Sequence, residues 1–180
     1  MKRYYSQKGF TLIELLIVIV IIAILAAVVI GVLNPVQQQN RARDGVIRSN
    51  ISKMVMAGKS LQVSTARANK APTLEEFIAA IGNVASGHTC SGAAATCAFT
   101  VVGVPLPTTC SGQSGQCQFT YWRGTNAFRV AARLFSGGDA AGMIVYEYAE
   151  TSTGSAEQFY SCPAAFNVAS DALSSCTVLE

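Results

Sequence analysis

Glu14 sits in the least usual setting of any charged residue in the chain. It is a lone carboxylate two residues after Leu12, immediately before nineteen residues, Leu15 to Leu33, that carry no polar side chain. A carboxylate at mid-bilayer costs roughly 3 kcal/mol on insertion scales, less near the end of a span, and an ionisable group there marks function by default. The Gly9-Phe10 junction, where a basic leader meets the apolar run, offers a complementary group. A peptidase cut at this junction leaves Phe10 with a new amine four residues before Glu14. That amine is cationic near neutral pH. The helix dipole also favours a carboxylate in the first turn. Two such helices packed side by side can therefore pair Glu14 of one with the Phe10 amine of the other.

Cysteine chemistry comes second. Thr89-Cys90-Ser91-Gly92 leads to Cys97-Ala98-Phe99-Thr100, and twenty residues later Thr109-Cys110-Ser111-Gly112 leads to Cys117-Gln118-Phe119-Thr120. Six cysteines allow fifteen pairings. The repeat argues for Cys90–Cys97 and Cys110–Cys117, which leaves Cys162–Cys176. An even count and a location outside the cell favour disulfides. A zinc site is the weaker rival, because zinc ligands are usually closer in sequence and His88 is the only histidine.

Other chemistry is missing. The chain has no P-loop, no dinucleotide fingerprint and no metal-ligand cluster. His88 has no triad partners. Gly112-Gln113-Ser114-Gly115 lacks the last glycine of a nucleophile elbow and the strand-to-helix setting. Glu147 and Glu150, near a strand end, read as solvated. No enzyme activity, cofactor or metal is expected.

The elements that position these residues follow from composition and periodicity. The chain has 180 residues, of which 51% are apolar and 13% charged, and its net charge is +3. Those values exclude a disordered polyelectrolyte. Residues 1–9 carry +3, residues 10–70 carry +5 and residues 71–180 carry −5. At about 1.5 Å per residue the run from Leu15 to Leu33 covers roughly 28 Å, the thickness of a bilayer's hydrocarbon. It is too long for a secretory signal, and its small residues lie inside it. Lys2, Arg3 and Lys8 place the N-terminus in the cytoplasm and the rest outside. Gly31 and Pro35 predict a kink or loosened turn after the span.

Residues 35–66 read as an amphipathic continuation of the helix. Ile47, Ile51, Met54, Val55, Gly58 and Leu61 form its apolar stripe, and Arg41, Arg43, Arg48, Asn50 and Lys53 hold other faces. The basic face suits anionic headgroups, the acidic head of a neighbour, or water. Nucleic acid ranks last, because no aromatic residue stands among these charges. Residues 67–180 read as an α+β head. Thr73 and Glu76 have capping-box spacing before a short helix that ends at Gly82. The runs Ala98–Val104, Gln118–Arg123, Ala127–Phe135 and Gly142–Ala149 predict an antiparallel sheet of about four strands, with a short fifth around Gln158–Ser161. Gly137-Gly138-Asp139 predicts a hairpin turn between the third and fourth.

Lys8-Gly9-Phe10-Thr11-Leu12-Ile13-Glu14-Leu15-Leu16 resembles the class III signal of type IV pilins and type II secretion pseudopilins. The resemblance covers residues 1–60; beyond that it is architectural. It implies that residues 1–9 are a leader cut after Gly9 by a prepilin peptidase, and that Phe10 is N-methylated. It also implies that residues 10–34 form a membrane and filament-core helix, and that Glu14 docks one subunit on the next. The implied partners are copies of the chain or related pilins, the peptidase/methyltransferase and an inner-membrane assembly platform. The implied location is a single-pass inner-membrane protein with its head outside, later an extracellular filament. A loop closed by Cys162 and Cys176 is similar to the disulfide-bounded C-terminal region of many type IV pilins. Within the family, a type II secretion pseudopilin and a minor or DNA-uptake pilin are alternatives. Outside it, the alternative is a single-span surface domain that never polymerises. Substituting Gly9 separates these: a prepilin stays uncleaved, visible as the full-length mass by mass spectrometry, whereas a plain anchor is indifferent.

Overall fold

The computed structural model describes residues 9–32, 34–63, 70–91, 96–108, 117–136, 142–151 and 154–179. The chain divides into two units, Met1–Gln38 and Gln39–Glu180. The first contains α1, Leu12–Val32. Apart from Glu14 in its first turn, its residues are apolar on every side, so no face is marked for burial. From Leu12 to Gly31 it is long and apolar enough to cross a membrane, and none of it is buried. Helical structure resumes at Pro35, the first residue of α2, Pro35–Val63. Proline suits that position because its missing N–H would lack an intrahelical acceptor anyway. Asn34 caps the new helix: Gln37 N donates to its Oδ1 at 3.4 Å.

The second unit packs α2 and a short α3, Leu74–Ile81, on one antiparallel sheet. Its strands are β1 (Thr89–Ser91), β2 (Thr96–Phe99), β3 (Phe119–Arg123), β4 (Ala127–Arg133), β5 (Met143–Thr151), β6 (Gly154–Cys162) and β7 (Thr177–Leu179). They lie in sequence order, a seven-stranded meander among the described residues. The expectation of about four strands is thus corrected. β6 runs nine residues, not four, and lies antiparallel to β5 along its whole length. β2 ends at Phe99, short of the expected Val104, and Val101 instead bridges Val84. The turn expected at Gly137-Gly138-Asp139 lies outside the described residues.

Alternation along the strands sorts side chains into two cores. Phe128, Val130 and Ala132 of β4 and Ile144, Tyr146 and Tyr148 of β5 face the helices, where Ile47, Ile51, Met54, Val55 and Phe77 meet them. Ala131, Met143 and Val145 face the other way, against Cys162, Phe166 and Val168 of the C-terminal segment. The central strands are covered on both faces, which is why β5 reads as a nearly continuous apolar run. Phe77 stacks on Tyr121 with ring centroids 4.2 Å apart, and the Tyr121 hydroxyl donates to Pro72 O at 2.6 Å. α3 begins with the expected capping box: Thr73 N donates to Glu76 Oε2 at 2.9 Å, and Glu76 N to Thr73 Oγ1 at 3.5 Å.

Long-range polar contacts that periodicity does not reveal tie α2 to the sheet. Asp44 is buried and accepts from Phe135 N at 2.6 Å, from Ser136 N at 3.1 Å and from the Ser136 hydroxyl. Gln62 Nε2 donates to Glu150 Oε2 at 3.2 Å. Gly58 sits where the helix comes closest to the core. A Cβ there would lie 2.8 Å from Phe128 Cζ and 3.2 Å from Phe77 Cε2, both on packed rings. Overpacking of this kind typically costs about 1–3 kcal/mol. Gly58→Ala should lower the melting temperature of the head accordingly, measured by circular dichroism; an unchanged melt would show that the rings yield freely.

Candidate functional site

The residues around Glu14 form a compact polar turn at the start of α1. Thr11 N donates to Glu14 Oε2 at 2.9 Å, and the Thr11 hydroxyl donates to the same oxygen at 2.8 Å. Glu14 N returns a bond to Thr11 Oγ1 at 3.4 Å. This is the same reciprocal arrangement as Thr73 and Glu76: a threonine cap and a glutamate three positions on satisfy each other's orphan donors. Sequence reasoning identified the box at 73–76 and overlooked it at 11–14, although Thr-x-x-Glu spacing is present at both. Oε1 of Glu14 meets no partner among the described residues. Gly9 and Phe10 precede the cap, and Phe10 is 85% exposed. A backbone junction this open can enter a protease cleft, and the adjacent carboxylate can still accept a cation on Oε1. Gly31 lies exposed in the last turn of α1, and Pro35 opens α2.

The cysteines fall into two groups. Cys162 and Cys176 are joined, with Cα atoms 4.4 Å apart. The loop they close packs on the outer face of the sheet. Arg129 pins it there: its Nη1 donates to Val168 O at 3.0 Å and Asp171 O at 3.1 Å, and its guanidinium lies 4.9 Å from the Trp122 ring centroid. Its Nε donates to Glu147 Oε1 at 2.8 Å, so Glu147, expected to be solvated, is an ion-pair partner. Cys97 and Cys117 are buried, and each is one half of a disulfide bond. The backbone of Cys90 lies opposite Cys97 in the β1–β2 pairing. The Cys90 side chain and the whole of Cys110 lie outside what the structure describes. Among the described residues no group of His, Cys, Asp and Glu could hold a metal.

Comparison with known proteins bears on the first of these sites. Residues 5–30 match a family model described as the prokaryotic N-terminal methylation motif. The match contains Gly9, Phe10, Thr11, Glu14 and nearly all of α1. The matched motif is the class III signal found at the start of type IV pilins and pseudopilins. Neither the comparison with curated proteins nor that with solved structures returned a match.

A second polar cluster joins α2 to β6. Lys59 pairs with Glu157, and the Tyr146 hydroxyl donates to Glu157 Oε2 at 2.6 Å. The group borders an open groove of about 430 Å³ with Met56, Phe159 and Leu179. The bond from Lys59, then that from Tyr146, holds the Glu157 carboxyl below its ordinary value of 4.5. Burial, and then the nearby carboxylate, push the Tyr146 hydroxyl far above the tyrosine range, so it remains a donor. A depressed carboxyl pKa contributes stability that is present above the unfolded value and lost as pH falls through the folded one. Going from neutral pH down through about 4.5, the chain should therefore lose melting temperature faster than Glu157→Gln, and the two curves should converge in acid. Parallel curves would exclude the linkage.

Proposed function

We propose that the chain is a prepilin, cut after Gly9, N-methylated at Phe10 and built into a type IV pilus-like filament with its head outside. The observation that carries this reading is a carboxylate in the first turn of an exposed apolar helix, beside an open Gly-Phe junction and inside the methylation motif. Before assembly, lipid covers α1, and Thr11 supplies the hydrogen bonds that Glu14 needs. After cleavage, the Phe10 amine of one subunit supplies a cation to Glu14 of the next. In an apolar filament core this pairing neutralises two charges at once and sets the axial register.

Hydrophobic burial alone gives little direction to the step, because lipid tails are as apolar as the side chains of a neighbouring helix. The polar pair distinguishes the assembled state from the stored one. Breaking one side of a buried ion pair typically costs about 3–5 kcal/mol, and the mutant should lose more than a hundredfold in incorporation.

Glu14→Ala should fractionate with membranes, be cleaved after Gly9, and be missing from sheared filaments. Mass spectrometry of those filaments reads the new N-terminus, its methylation and subunit abundance together. A normal filament yield from Glu14→Ala would remove the pairing from the mechanism. A mature chain that still begins at Met1 would remove the whole reading.

A further inference from the structure

The outward side of α2 carries charge that the fold leaves unanswered. Arg41, Arg43, Arg48 and Lys53 are all exposed. Arg43 lies over the Phe135 ring, 5.1 Å from its centroid. The others meet no carboxylate among the described residues. The one acid in α2, Asp44, is buried and occupied by Phe135 and Ser136. Of the other described head carboxylates, Glu147 is ion-paired with Arg129 and Glu157 with Lys59, while Glu76, Glu150 and Asp171 accept hydrogen bonds from the neutral groups of Thr73, Gln62 and Asn167. Of the carboxylates beyond α2 that the structure describes, Glu75 alone makes no such bond.

Their placement says what kind of anion fits. At about 100° per residue, Ala42, Gly45, Val46, Ser49 and Lys53 take the middle of the exposed side. Arg41 and Arg48 border that strip on one side and Arg43 on the other. Val46 is apolar yet 42% exposed. Long cationic side chains beside a small apolar strip can lay their stems along hydrocarbon and put their heads among phosphates. Arg41 also comes only ten residues after Gly31, where the candidate span ends. A nucleic acid would use the cations but leave Val46 and Ala42 uncovered, and α2 has no aromatic side chain to stack on a base.

We propose that, in the unassembled subunit, this side of α2 docks on anionic phospholipid headgroups of the membrane that α1 spans. The inference rests on the reading of α1 as a span. The test uses the full chain in vesicles of phosphatidylcholine alone or of phosphatidylcholine mixed with phosphatidylglycerol. Phenylglyoxal modification of each arginine is followed by mass spectrometry, with Arg133 of β4 as the internal reference. Arg41, Arg43 and Arg48 should react about fivefold more slowly in the anionic vesicles, the gain each cation has near such a surface. Arg133 should react equally in both. Protection should vanish at about 1 M salt, where the screening length is about 3 Å. It should also vanish at Arg43 in the triple variant Arg41→Gln, Arg48→Gln, Lys53→Gln. Equal rates in the two vesicles overturn the proposal while leaving the span intact, provided the chain floats with both. A chain that floats with neither overturns the span as well. Equal protection by a DNA duplex added to the uncharged vesicles overturns the assignment to lipid.

Discussion

Water cannot accommodate α1, and the behaviour of the whole chain follows from how that is resolved. The helix satisfies its own backbone, but from Leu12 to Gly31 no part of it is buried within the fold. Lipid or other apolar helices are the covers that suit such a surface. Since both covers are equally apolar, the proposed assembly step leaves the choice between them to the polar group at the helix start. In the single chain, Thr11 closes the Glu14 carboxylate into a capping box. The same geometry that makes the helix start stable leaves one carboxylate oxygen open to a cation. In the proposed filament, a residue that is costly in hydrocarbon is thereby tolerable in the stored form and useful in the assembled one.

The head meets a different constraint. α2 buries one side against the sheet and leaves the other to solvent, so its polar residues divide into those that fasten and those that face outward. Asp44, Lys59 and Gln62 reach the sheet near the ends of the contact. Gly58, between them, lets the Phe128 and Phe77 rings approach the helix axis. The opposite face of the sheet is closed by the disulfide loop, with Arg129 holding its backbone carbonyls. The loop therefore completes a second core as well as restraining the unfolded chain.

Several elements were legible because their signals are local. The stripe Ile47, Ile51, Met54, Val55 and Gly58 is buried as its spacing predicts, and Leu61 is partly buried. The α3 cap follows from four consecutive residues. The strands expected over 118–123, 127–135 and 142–149 are present with ends shifted by one or two residues. Strands β1 and β7 are three residues each, too short to display a period. β6 opens with Gly154, Ser155, Ala156 and Glu157, which have no β preference and are exposed. Its second half was legible as the short strand expected around Gln158–Ser161, whereas its first half is fixed by backbone pairing with β5.

Charged side chains show the same division. Glu14 stands out in the sequence because an acid next to a long apolar run is unusual wherever the chain goes. The roles of Asp44 and Arg129 could not be read that way. Asp44 meets Phe135 ninety-one positions away, and Arg129 meets Asp171 at forty-two. The sequence alone determined the apolar helix, the Gly-Phe junction, the acid and the amphipathic stripe, because each depends on neighbours within a few turns of helix. Only the tertiary structure decided the strand count, the anchors of the head and which charges remain unpaired. Those depend on hydrogen bonds and ion pairs between segments whose meeting no local pattern encodes.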